Sequence, residues 1–229
     1  MGKLLDMDSP LMRFLNRVAD LLVLNLLMIV CCIPVITAGA SFTAMHYVLL
    51  KMIRGEEGYL IRGFFKSFAR NFKQATLIWL LMLLVIGIYV GDIFIFNYSG
   101  IPFPKILVIA VVAIAALFIM VAIYVFPILG RFDNSIKNTL KNAMIFAFAN
   151  LPRTLLMVVF YALPFIVGYF STYSIIFVLM FGISLPAYGA AWLYSPVFKR
   201  FEPETEEISD MDFTVSVEEG NEKTDGESK

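Results

Sequence analysis

The stretch Ile33–Lys51, IPVITAGASFTAMHYVLLK, holds no charged side chain before its last residue, yet a proline, two threonines, a glycine and the chain's only histidine interrupt it. It reads as one kinked membrane helix, as two short helices joined by a turn, or as a place where something binds. Proline cannot donate a helical hydrogen bond and glycine permits a sharp turn, so Pro34–Gly39 suits a hairpin bend.

Outward from this stretch, charged residues are absent for long distances. Leu21–Leu50 is charge-free for 30 residues, Gln74–Gly91 for 18, Ile106–Gly130 for 25 and Thr154–Phe198 for 45. Crossing a hydrocarbon core takes about 20 apolar helical residues. With 60% hydrophobic residues, 16% charged and a mean hydropathy of +0.82, the chain of 229 residues is expected to be an integral membrane protein. A 45-residue helix would be about 68 Å long, over twice the core thickness, so the last run is expected to make two passes turning at Gly168–Ser174. Asn97–Lys105, with Gly and two Pro, breaks the middle of the chain in the same way.

Three acids near the start and a long apolar stretch argue against a cleaved signal, and Asp6 breaks the myristoylation pattern. Lys and Arg mark the cytoplasmic side. Lys51–Lys73 carries six and Arg131–Arg153 four, whereas Asp92–Lys105 carries only Lys105 and Gly168–Ser174 none. The expected fold is therefore an all-α polytopic bundle of about six membrane segments, near 17–36, 40–54, 75–96, 104–129, 152–169 and 174–197. Both termini lie inside; five segments is the alternative. Residues 40–54 span only about 22 Å if helical and need not cross fully.

Two further helices are expected on the cytoplasmic face, over 59–73 and 132–146. The first sets Ile61, Phe64, Phe65, Phe68 and Phe72 against Arg62, Lys66, Arg70 and Lys73, the composition of a helix lying in the interface over anionic lipid. The second repeats the design with Lys137 and Lys141, just after Arg131. These seven basic residues form a candidate face for lipid or for a cytoplasmic partner. Pro-to-Gly pairs recur at Pro34/Gly39, Pro127/Gly130 and Pro186/Gly189 and are candidate helix breaks or turns. Residues 1–201 carry a net +9 and residues 202–229 a net −9, with eleven acids in the latter. The acidic tail is too poor in apolar residues to fold alone and is expected to be a disordered cytoplasmic segment; it either solubilises the chain or folds back over the basic face.

The membrane segments hold no ionisable group at mid-length. Asn25, Thr37, Thr43 and His46 are the candidate lining of a small polar cavity, set against the plainer reading of a hydrogen-bonded histidine near a helix end. No paired carboxylates, Ser-His-Asp set, H-E-x-x-H or phosphate-cradling glycine loop is found. Cys31 and Cys32 are neighbours on a helix, pointing about 100° apart, which suits neither a disulfide nor a metal site. No catalysis, cofactor, metal or nucleic-acid partner is expected.

Two stretches, Cys31–Leu81 and Tyr124–Leu156, carry a resemblance. Pro34–Ala40, the Arg54-Gly55-Glu56-Glu57 turn, Phe68–Asn71, Pro127 and Arg131-Phe132 look like hallmarks of the YesL-like family of bacterial membrane proteins, a family without known function. The resemblance covers about residues 5–200. It implies a multipass plasma-membrane protein, in a family often encoded beside sugar ABC-transport and polysaccharide-utilisation genes, and it supplies no catalytic residues. Two function classes follow: an accessory protein of carbohydrate uptake, contacting a sugar ABC transporter or a membrane sensor, or a small permease in its own right. A sugar ABC permease carries a Glu-Ala-Ala…Gly coupling loop before its Leu-Pro; here Leu151-Pro152 is present, but Asp133–Thr139 lacks the Ala pair and the Gly. A membrane enzyme using His46 is the outsider.

Overall fold

A computed structural model describes residues 10–56, 58–98, 104–170 and 175–202. The acidic tail beyond Glu202 and the turn residues 171–174 lie outside the described residues. The chain is all-α, and the described residues form α1 (Pro10–Cys32), α2 (Ala38–Arg54), α3 (Leu60–Tyr98), α4 (Lys105–Arg131), α5 (Ile136–Ala149), α6 (Leu151–Phe170), α7 (Ile175–Phe181) and α8 (Ser184–Lys199). Five of these are long and apolar enough to cross a membrane: α1, α2 with the turn before it, α3, α4 and α6. The chain divides into two compact units, one ending at Leu193 and one beginning at Tyr194. In the second, the rings of Tyr194 and Phe198 lie 4.8 Å apart.

The core of the first unit is built around α2. Its buried residues include Ala38, Gly39, Ala40, Ser41 and Ala44, side chains small enough to let neighbouring backbones approach, as membrane helix contacts require. The helix ends at Gly55, whose φ of 71° is the left-handed cap conformation that costs glycine least, with Lys51 and Arg54 in the last turn against the negative end of the dipole. α3 packs on it, burying Phe64, Ser67, Asn71, Ala75, Ile78 and Met82, a stripe at helical spacing.

Three expectations need correction. The sixth segment, 174–197, is not one span: Gly182 and Ile183 interrupt it, leaving the 7-residue α7 and the 16-residue α8. Pro186 explains the position, since its ring would clash with the carbonyl four residues earlier, at Gly182. The helix expected over 59–73 is not a separate element lying in the interface; it is the first third of α3, which runs unbroken for 39 residues. No Gly or Pro stands between Phe64 and Ile86 to end it. Its Phe stripe is also divided, because Phe64 is buried while Ile61 and Phe65 are exposed. The second amphipathic helix is separate, but begins at Ile136, where Ser135 caps it by accepting the Asn138 N–H.

Of the expected breaks, Pro34 stands at one and Pro186 just after another. Pro127 and Gly130 lie within α4, and Pro186 and Gly189 within α8. Their glycines serve packing instead. A Cβ on Gly130 would stand 2.9 Å from the Thr43 carbonyl oxygen, and one on Gly189 would reach the Phe160 ring at 3.4 Å. Gly39, inside α2, is the tightest of these: a Cβ there would meet the Ala75 carbonyl oxygen at 2.5 Å and the Trp79 Cβ at 2.6 Å.

Candidate functional site

Non-helical backbone inside a bilayer leaves polar groups that no water can reach, and each must find a partner in the protein. Among the described residues two breaks interrupt or adjoin the apolar helices, and both are closed by side chains. The first is the α1–α2 turn. After Ile33 and Pro34 a single 3-10 turn, Val35–Thr37, leads into α2. The Thr37 hydroxyl lies 2.5 Å from the Cys31 carbonyl and 2.7 Å from that of Pro34. Trp79 Nε1 donates from α3 to the Val35 carbonyl at 2.7 Å, and Ser41 Oγ donates to the Thr37 carbonyl at 3.0 Å. The surface of this turn is apolar: Ile33, Val35 and Ile36 are exposed. An apolar surface over an internally satisfied backbone is what a turn surrounded by hydrocarbon requires.

The second is the break between α7 and α8, which is closed from α1. Asn25 is fully buried; its Oδ1 accepts the backbone N–H of Ile183 at 3.1 Å and of Ser184 at 3.0 Å, while its Nδ2 donates to the Leu179 carbonyl at 2.7 Å. One amide thus caps the start of α8 and the end of α7 together. An amide suits this role because it carries an acceptor and donors on one planar head.

The four residues expected to line one polar cavity are therefore not brought together. Asn25 serves the α7–α8 break and Thr37 the α1–α2 turn, while the Thr43 hydroxyl donates to the Gly39 carbonyl one turn back at 3.0 Å. His46 is buried, with its Nε2 3.3 Å from the hydroxyl of Tyr161 on α6. Trp79 and Tyr161 carry two of these contacts, and sequence reasoning passed over both as ordinary aromatic residues of apolar runs. A cavity among the described residues lies elsewhere. It measures about 360 Å³, sits between α6 and the α7–α8 break, and is walled by Phe160, Pro164, Phe177, Phe181 and Pro186 among others. Its walls are apolar, so it offers no group to orient a polar solute. Among the described residues, no three His, Cys, Asp or Glu side chains gather as metal ligands would.

The candidate basic face is partly assembled. Arg62, Lys66, Arg70 and Lys73 follow one line along α3 and are exposed, as are Lys137 and Lys141 on α5. Arg70 pairs with Asp133, and Gln74 Nε2 donates to the Asn134 carbonyl at 2.6 Å. These contacts tie α3 to the α4–α5 connection and bring the two basic helices to one end of the bundle. Arg131 is half-buried beside them. From Gly58 to Phe170 the only acids are Asp92 and Asp133, and Asp133 is engaged by Arg70.

Residues 21–93, from α1 through most of α3, match the model of a family described as a protein of unknown function, DUF624. No curated protein and no solved structure matches the chain. The matched stretch contains Asn25, the α1–α2 turn, Trp79 and the basic line of α3.

Proposed function

We propose that the chain is a non-enzymatic accessory component of carbohydrate uptake, or of its regulation, working by contact with a sugar ABC transporter or a membrane sensor. Its basic end then faces the cytoplasm, with both termini on that side of the plasma membrane. The single observation that supports this is where four buried polar side chains are spent. Asn25, Ser41, Thr43 and Thr154 bind this chain's own backbone rather than facing a path. A permease for a hydroxyl-rich solute needs polar groups turned toward that solute. The carbohydrate setting comes from the YesL-like resemblance and the genes such proteins accompany.

A second reading, a small permease in its own right, is favoured by the interrupted α7–α8 helix beside a cavity, since discontinuous helices frame many transporter sites. The apolar cavity wall speaks for hydrocarbon over sugar. One experiment separates the two readings. The purified chain alone in liposomes should give no flux of labelled oligosaccharide. In native membranes, a photocrosslinker replacing Lys137 should join it to a transporter subunit. Flux without any partner would overturn the accessory reading.

A further inference from the structure

The cavity beside the α7–α8 break has walls from three helices: Phe160, Pro164 and Val167 of α6, Phe177 and Phe181 of α7, and Pro186 of α8. A broken helix ordinarily presents open backbone donors. Here the N–H groups of Ile183 and Ser184 are held by Asn25, and Pro164 and Pro186 carry none. A buried water needs about two to four polar partners, and an apolar wall does not supply them. Water therefore does not fill this space.

At about 360 Å³ the cavity is far larger than the voids of a packed interior. An apolar cavity of about 150 Å³ already takes up benzene, a ring of six carbons. Scaled in that way, this one takes a chain of on the order of a dozen carbons. It is a cleft rather than a sealed void, since its lining residues Phe177 and Val167 remain 54% and 40% exposed. Their chain neighbours Ile166 and Ile176 are apolar and exposed as well. No charged residue stands between Thr154 and Phe198, and α6 is one of the helices long and apolar enough to cross a membrane. Hydrocarbon is thus the medium that meets the opening. A polypeptide would bring backbone groups that this wall cannot satisfy, and a whole helix is about 10 Å across. A lipid chain is narrow and brings no polar group.

We infer that the cleft holds one acyl chain of a bilayer lipid, taken in from the surrounding hydrocarbon and lying against Phe160, Phe177 and Phe181. The wall selects for the chain and not for its headgroup. This site is independent of both functional readings, because a held chain neither requires a transporter partner nor supplies a path for sugar.

The test places the full chain in nanodiscs of phosphatidylcholine, a small fraction of it bearing a diazirine midway along one acyl chain, and maps the photoadducts by mass spectrometry. Adducts are expected to concentrate on Phe160, Phe177 and Phe181, at least about threefold above Ile109 and Val112 of α4, which are more exposed. Leu185→Trp fills the cleft from its exposed rim and should cut the adducts on Phe177 and Phe181 about threefold, leaving those on α4 unchanged. Ile166→Trp, on α6 but outside the lining, should change neither. Unchanged melting in detergent shows that the variants fold; should Leu185→Trp not fold, Val167→Trp gives the same reading from the opposite wall. Adducts spread evenly over the cleft and α4 would overturn the proposal, since that is ordinary solvation by lipid. So would cleft adducts that the filling variant leaves untouched, or cleft residues joined to a second copy of the chain instead of to lipid.

Discussion

The Oδ1 of Asn25 accepts the backbone N–H of Ser184 at 3.0 Å, joining the second half of α1 to the first residue of α8. The same side chain also holds Ile183 and Leu179. Replacing Asn25 with Leu keeps the volume and orphans two N–H groups and one carbonyl in a buried setting. The expected loss is about 2–4 kcal/mol, read as a lower melting temperature in detergent. Asn25→Asp restores the acceptor but not the donor and buries a charge, so it should not rescue the fold. A melting temperature unchanged in Asn25→Leu would mean that the break is held by something else.

Gly39 makes a contrasting prediction with Gly87. A Cβ at Gly39 lands within 2.6 Å of both the Ala75 carbonyl oxygen and the Trp79 Cβ, and both are fixed parts of α3. Gly39→Ala should destabilise by about 1–3 kcal/mol, as overpacking does. At Gly87 an added Cβ meets nothing within 4 Å. Gly87→Ala should be neutral or stabilising by up to about 1 kcal/mol. Thermal unfolding of the two variants in one detergent settles the comparison.

The α1–α2 turn should be shielded from water. With Cys31 and Cys32 changed to Ser, a cysteine at Ile36 should resist a membrane-impermeant maleimide in membrane sheets open on both sides. One at Tyr98, at the end of α3, should react. Equal labelling of the two would place the turn in water and remove the reason for its internal hydrogen bonds.

Arg70 and Asp133 meet at the surface, with side chains 56% and 79% exposed. Solvent screening limits such a pair, so a double-mutant cycle through Arg70→Ala and Asp133→Ala should give a coupling below about 1 kcal/mol that fades at high salt. A larger, salt-independent coupling would show that this link holds α3 to α5.

The helical, multipass character was legible because it depends on runs of composition, and Pro34 was legible because proline acts locally. The extent of α3 was not. Charge changes along a helix without ending it, and Arg62 to Lys73 looked like a separate helix only because the polarity shifts at Gln74. Gly130 and Gly189 looked like hinges for a similar reason, although an absent Cβ serves close approach as readily as bending. Asn25 was noticed as a buried polar residue, but its partners lie more than 150 positions away. Sequence spacing carries no sign of such a pairing. Gly182 offered a fainter cue, standing one turn ahead of Pro186.

The capping of the last break by the first helix has a temporal cost. The ribosome must add 158 residues after Asn25 before the amide of Ile183 exists to receive it. Until then that asparagine waits in the bilayer with its head unmatched, and α7 and α8, when they emerge, cannot shelter their own open ends. The first helix and the α7–α8 break thus reach their final packing together, late in the making of the chain.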